Sequence, residues 1–242
     1  ANIANDPGVE LNPLLSWEIN VLATHQLIEI AIKNNVKQFI YASSGSVYGI
    51  KKEKEVTEDL PLVPISTYNK TKMIAEKVLS SYKNLIKFHC IRPATICGYS
   101  PKMRLDLSVN LFIIQALKYK KLTVFGGDQI RPNIHINDLV NIYIHFINNP
   151  ELPPGFYNAG FENLKIIDIA KKVSEIIPSN INIQKNNNDL RSYRQNSDKL
   201  LLTGFKNNFT ITDAIIDLKK KYKNKKFSET DECYIVKSMK KL

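Results

Sequence analysis

The chain reads as an α/β fold built on a parallel sheet, and three observations carry that reading. Apolar segments alternate between helical and extended patterns: an amphipathic stretch Leu14 to Lys33, a β-branched and aromatic run Gln38 to Ala42, a helical stretch from Ser66, and a second apolar run Phe88 to Arg92 before Pro93. Alternation of this kind predicts a parallel sheet with helices on both faces. The strand Gln38 to Ala42 stops abruptly in small hydroxyl residues and glycine, Ser43-Ser44-Gly45-Ser46-Val47-Tyr48-Gly49. The helix after Pro64 and Ser66/Thr67 carries Tyr68 and Lys72 four residues apart, which places both on one face.

In chain order, Ala1 to Val9 lacks helical periodicity and contains Pro7-Gly8, so a strand end and loop are expected. Leu14 to Lys33 comes next as a helix with Trp17, Val21, Leu22, Leu27, Ile28 and Ala31 apolar, and Asn34-Asn35 forms a turn. Beyond Pro93, helices are expected over Leu107 to Lys118, Leu139 to Ile147, Ile166 to Ile177 and Thr210 to Tyr222, the last leading into a charged tail. Asp138 reads as the N-cap of the second of these. His135 sits in an apolar strand and reads as structural rather than catalytic.

A strand-end serine facing a helical tyrosine and lysine is a proton-handling device. The Lys72 charge favours the phenolate of Tyr68, bringing its pKa down from about 10 towards working pH. Ser44 then hydrogen-bonds the substrate oxygen that Tyr68 protonates or deprotonates. Spacing alone does not single the pair out, because Tyr48/Lys52 and Tyr222/Lys226 repeat it. Only Tyr68/Lys72 has a hydroxyl-rich strand end upstream and an apolar helix downstream.

The composition narrows the classes. A chain of 242 residues with ordinary apolar content folds around a good core. It has no apolar run of about 18 residues, so no membrane span is expected. The N-terminus lacks the pattern of a signal peptide. Three scattered cysteines make neither a disulfide frame nor a zinc site, and a cytoplasmic location is the default. The net charge of +11 is spread over scattered lysines without aromatic interleaving, so no nucleic-acid partner is expected.

The run Ser43-Ser44-Gly45-Ser46-Val47-Tyr48-Gly49, with Tyr68-Asn69-Lys70-Thr71-Lys72 downstream, resembles the extended short-chain dehydrogenase/reductase family, the NAD-dependent nucleotide-sugar epimerases and dehydratases typified by UDP-galactose 4-epimerase. The resemblance implies a Rossmann-like doubly wound parallel sheet, its first strands missing, with a smaller α/β substrate-binding lobe. Residues 1–98 would be the remainder of the dinucleotide-binding domain. Residues 99–242 would be mainly the lobe, with about 133–150 returning to the Rossmann domain. No Gly-x-x-Gly-x-x-Gly loop occurs here, so the resemblance implies an N-terminally truncated piece of a longer enzyme, with the adenine and pyrophosphate contacts in doubt.

The same resemblance implies the site. Ser44, Tyr68 and Lys72 are the catalytic residues, and Asn20 matches a helix asparagine that supports the lysine. On the residues alone, Asn20 is an ordinary polar position on a helix. Ala42, Ser43, Tyr68, Lys72 and Pro93 line the cofactor, NAD, with NADP as the alternative. Thr95 stands where the family often has asparagine, and Asn110 resembles a contact to the sugar nucleotide's phosphates; it is equally a surface or capping residue. Phe125, at a strand end, suits stacking on a nucleobase, and Arg131, after a turn, offers a fork to a diphosphate. Arg191 stands near a further family arginine. No metal is implied.

Dehydratases of the family place Asp-Glu directly after the catalytic hydroxyl, and decarboxylating members place a glutamate two residues after it. Gly45 and Ser46 stand there instead and serve neither purpose. An epimerase acting at sugar carbon 4 is therefore expected, with a ketosugar reductase or dehydratase of the family as the alternative. A non-catalytic binding module is the alternative from another class. The resemblance implies a nucleotide sugar as partner, and a basic surface would draw in such an anion. It also implies a homodimer through the helices Leu14 to Lys33 and Ser66 to Tyr82.

Overall fold

The computed structural model describes residues 2–185 and 192–241. Two short helices open the chain, α1 (Asp6–Leu11) and α2 (Pro13–Trp17), each started by an asparagine cap and a proline in its first turn. The expected loop at Pro7-Gly8 is thus a helix start. A π-helical turn, Glu18–Leu22, joins α2 to α3 (Ala23–Lys33), so the predicted helix is one rod with a widened turn at Asn20.

Strand β1 (Gln38–Ala42) leads into a 3₁₀ turn Gly45–Tyr48 and then the long helix α4 (Thr67–Ser81), with Ser66 as its N-cap. Gly49 closes that turn at φ 69°, where a Cβ would sit 2.1 Å from the Val63 carbonyl oxygen, so only glycine fits. Strand β2 (Lys87–Pro93) pairs parallel with β1. After β3 (Thr95–Cys97) come α5 (Ser108–Tyr119), β4 (Lys121–Phe125), β5 (Ile130–His135) and α6 (Ile136–Asn148). Strand β6 (Gly155–Ala159) pairs parallel with β2 and completes a β1-β2-β6 sheet. Strands β7 (Glu162–Lys165), β8 (Asn180–Gln184), helices α7 (Ile166–Ile176), α8 (Asp198–Leu201), α9 (Ile211–Lys223) and α10 (Ile235–Met239), and a 3₁₀ turn Asp231–Cys233 complete the described elements.

The apolar side chains collect in separate clusters. One joins α3 and α4 to β1 and β2 through Ile28, Ala75, Leu79 and Phe88. Another joins β2 and β6 to α6 through Ile91, Ile142, Phe146 and Tyr157. The largest packs α5, β4, α7 and α9 around Ile113, Leu122, Ile169 and Ile215. Full burial of each such side chain contributes about 1.5–3 kcal/mol.

Some expectations need correction. Asp138 does not cap α6, whose N-cap is His135; its carboxylate, fully buried, accepts from the backbone N–H groups of Asn208 and Phe209 instead. His135 stacks on Phe209 with ring centroids 4.8 Å apart, in keeping with a structural role. The charged tail is not all solvated: Cys233 is buried in the largest cluster, and α10 packs Ile235 and Met239 against Gly8 of α1. Among the described residues, no helix is long and apolar enough to cross a membrane.

Candidate active site

Beyond β1 the chain keeps one more ladder bond, Ser43 N–H to the Ile91 carbonyl at 2.8 Å, before it turns. Ser44 caps that turn: its Oγ accepts from Ser46 N–H at 3.2 Å and lies 2.7 Å from Ser46 Oγ. Helix α4 faces this strand end. Its N-cap Ser66 accepts from Asn69 N–H and donates to the Asp6 carboxylate of α1, which fixes the helix start.

Lys72 is 3% exposed and points inward from α4. Its ammonium donates to the Ala42 carbonyl at 2.7 Å, to the Asn2 side-chain carbonyl, and at 3.5 Å to the Tyr41 hydroxyl. It also lies 4.9 Å from the Tyr41 ring centroid. Its partners are all neutral oxygens. Burial therefore lowers its pKa to about 8, against opposing pulls from Cys90 and Glu76.

A cavity of about 790 Å³ opens at this strand end. Ser43, Ser44, Tyr68, Lys72 and Pro93 line it, with Ala42 and Thr95 beside them, so the strand-end and helix residues expected from the sequence share one space. Arg131 of β5, 9% exposed, reaches the same cavity. The Ser43 hydroxyl is buried there without a hydrogen-bond partner.

Asn20 is near the cavity but not on it. Its side chain clasps the backbone of Ile3, accepting from the N–H at 2.9 Å and donating to the C=O at 3.0 Å, and donates to Thr71 Oγ1 at 3.1 Å. Thr71 in turn donates to the Tyr68 carbonyl at 2.8 Å. Asn20 thus ties the segment bearing Asn2 to the turn of α4 between Tyr68 and Lys72.

Two expected substrate contacts lie elsewhere. Asn110 is buried away from the cavity lining, its amide accepting from Gly98 N–H at 3.0 Å and donating to the Arg104 carbonyl at 2.8 Å; it braces the loop before α5. Phe125 ends β4 with 56% of its surface exposed and is not part of the cavity lining. Arg191 lies outside the described residues.

Other side chains at the site carried no sequence signal. Asn2 and Tyr41 hold Lys72, and Tyr143 of α6 lines the cavity with its phenol pushed up to about 12 by burial. Arg104, bonded to Asp106 through Nε at 3.0 Å, brings a second guanidinium to the lining.

Behind the cavity wall runs a closed polar network. Arg92 grips Glu76 of α4 at 3.0 and 2.7 Å, and its Nη1 donates to the Tyr48 hydroxyl at 2.7 Å. Tyr48 donates to Asn158 Oδ1 at 2.8 Å, and Gln195 donates to the same oxygen and to the Arg92 carbonyl. The sequence marks Tyr48 only as a motif residue and gives Glu76 no distinction at all.

A model of the NAD dependent epimerase/dehydratase family matches residues 1–160. An uncharacterized UDP-glucose epimerase of Bacillus subtilis is 30% identical over 159 residues, 65% of this chain and 50% of its own length. The human dTDP-D-glucose 4,6-dehydratase is 28% identical over 182 residues, 73% of this chain and 51% of its own. Among solved structures, UDP-glucuronic acid 4-epimerase from Bacillus cereus, in complex with UDP-glucuronic acid and NAD, superposes with a TM-score of 0.81 at 26% identity. That match covers 93% of this chain and 74% of the other. The chain spans about half the length of the curated relatives it matches.

Proposed function

We propose, on the premise that the chain belongs to the NAD dependent epimerase/dehydratase family, that it serves a nucleotide-sugar epimerase acting by transient NAD-dependent oxidation of a sugar hydroxyl, at carbon 4. The observation that carries this is Lys72: a buried ammonium held by the strand-end carbonyl of Ala42, one helical turn from Tyr68 and lining the same cavity as Ser44.

The residues present fit the nicotinamide end of the cofactor. The partnerless Ser43 hydroxyl and the Lys72 ammonium suit the hydroxyls of a ribose, and Pro93 offers an apolar edge for a flat ring. When bound, the nicotinamide supplies a hydride acceptor and donor. Tyr68 takes the proton from the sugar hydroxyl and returns it, and Lys72 favours the phenolate that does so. Ser44 holds the reacting oxygen. Arg131 and Arg104 reach the lining from elsewhere and suit the diphosphate of the substrate.

Support for an epimerase over a dehydratase comes from the two residues after Ser44. Gly45 has no side chain, and the Ser46 hydroxyl is engaged by Ser44 and Asn69, so neither supplies an acid or base for elimination. The similarity to a dTDP-glucose dehydratase keeps elimination as the alternative to be tested. Exposed Leu14, Leu22 and Ile30 on the α2–α3 rod support a homodimer through that face. The deciding experiment incubates UDP-sugars with the protein and NAD and monitors products. Epimer formation without net change in reduced-nicotinamide absorbance is expected. Stoichiometric consumption of NAD(P)H means a reductase instead, and a 4-keto-6-deoxy product means a dehydratase.

A further inference from the structure

We infer that Asp106 is a positioning residue that aims the Arg104 guanidinium at the diphosphate of a nucleotide sugar, and that residues 233–235 hold Asp106 in that role. This rests on the proposed nucleotide-sugar reading and adds to it a determinant of substrate affinity built from two distant stretches of the chain.

The loop between β3 and α5 brings both Arg104 and Asp106 to the cavity lining. Arg104 Nε donates to Asp106 Oδ1 at 3.0 Å. Arg104 Nη2 lies 3.0 Å from the same oxygen but out of line for a hydrogen bond, and it is buried without one. The guanidinium is thus fixed through Nε while N–H groups remain unspent, and phosphate oxygens are the acceptors such a fork suits. Asp106 is itself held from the other side. Its Oδ2 accepts from the Ile235 N–H at 3.0 Å and from the Asn5 side-chain amide at 3.4 Å. One oxygen faces Arg104 and the other faces those donors, so a partial rotation of the carboxylate would lose both.

The segment that supplies Ile235 is anchored independently. The Leu105 N–H donates to the Cys233 carbonyl at 2.9 Å, and both side chains are buried in the largest apolar cluster. Tyr234 donates to Glu229 at 2.7 Å. Ile235 packs against Gly8 of α1, where a Cβ would meet its Cγ1 at 3.0 Å. Asn5, the N-cap of α1, accepts from the Gly8 N–H at 2.9 Å through its side-chain oxygen and gives its amide nitrogen to Asp106. Asp106 therefore sits where α1, the Arg104 loop and residues 233–235 meet. Its negative charge works against an anion in the cavity, and Asp6 on the same lining adds to that. Aiming and repulsion thus predict opposite effects when the charge is removed.

Titration calorimetry with NAD present measures Kd for UDP and dTDP, which carry the diphosphate without the hexose, and turnover of UDP-sugars is followed in parallel. Asp106→Asn cannot accept from both Arg104 and Ile235. Its Kd should rise about tenfold, the scale of one hydrogen bond to a charged group, and KM should rise by more than kcat falls. In an Arg104→Met background the same change should bring no further weakening. Ile235→Pro removes the N–H at a first helical position, which proline tolerates, behind an extended Tyr234. Ile235→Ala keeps the N–H and loses the packing on Gly8, so proline should weaken UDP binding about threefold more than alanine. An Asp106→Asn protein that melts as wild type and binds UDP as well or better overturns the aiming role and leaves the sugar-oxidation reading standing. Equal Kd in the two Ile235 variants overturns the part of residues 233–235. Weakened UDP binding in Asp106→Asn, in a protein whose wild type turns over no sugar, supports the aiming role and overturns the oxidation alone. A wild type that binds neither diphosphate overturns both.

Discussion

Lys72 and Arg92 are equally hidden, each 3% exposed; Lys72 belongs to helix α4, and Arg92 of β2 pairs with Glu76 of the same helix. Their surroundings differ in one respect. Arg92 has a bidentate carboxylate, and although burial works against its charge, the Glu76 hydrogen bonds and charge outweigh that and push its pKa up. Lys72 has only neutral oxygens, and burial wins, lowering it to about 8. A buried cation matched by an anion is locked in one state and holds two elements together. A buried cation without one stays close to losing its proton, which suits a site that moves protons. Within a single helix, the half that begins at Ser66 thus carries the proposed chemistry, and the turn at Glu76 binds the helix to β2.

The hardest test of the Lys72 half is Tyr68→Phe. The ring stays and the proton goes, so turnover should fall by about 10²–10⁴-fold, with the melting temperature and NAD affinity near wild type. A binding module would show no such loss.

The Arg92 half should respond in stability instead. Arg92→Met or Glu76→Leu alone leaves an unpaired buried charge and should lose about 3–5 kcal/mol in urea unfolding. The double variant should recover most of that, because no charge remains to be solvated. If each single change is as mild as the pair, the network is not holding α4 to β2.

Lys72 makes the contrast visible in pH. Its folded pKa of about 8 lies below its ordinary value of 10.5. Between those values the unfolded chain binds a proton that the folded chain has released, so stability rises as pH goes from about 8 to 10.5. Below that window the folded state bears the full cost of the buried charge. Lys72→Met should remove this rise, on the order of 3 kcal/mol, when unfolding curves are taken across the window.

Much of this division was legible in advance, and the missing part has a physical cause. Periodicity reports on single elements, so β1 over Gln38–Ala42 and the face shared by Tyr68 and Lys72 were readable. The partners of those faces were not. Which oxygen meets Lys72 depends on Asn2, seventy residues away, and Arg92 finds Glu76 across a strand and a helix. The π turn at Asn20 leaves no composition signal, because any residues with helical propensity can widen a turn. Asp138 shows the same limit: three residues into α6 it reads as a cap, yet its carboxylate serves the backbone of residues 208 and 209. Local rules place an acid at a helix start, and the tertiary fold decides which N–H groups it meets.

Two asparagines give the smallest and most specific comparison. Asn69 and Asn110 are both buried in helices, at 0% and 3% exposure. Asn69 is joined by hydrogen bonds to the cavity through Ser46, whereas Asn110 spends its amide on the backbone at Gly98 and Arg104. Asn110→Ala leaves a buried N–H and C=O unpaired, a loss of about 1–3 kcal/mol visible as a lowered melting temperature. Because the Asn110 side chain does not line the cavity, KM for the nucleotide sugar should stay within about twofold of wild type, under ~0.5 kcal/mol and typical of sites outside a binding surface. A KM rising severalfold at unchanged melting temperature would return Asn110 to the substrate and require the loop at Gly98 to open when the sugar nucleotide binds.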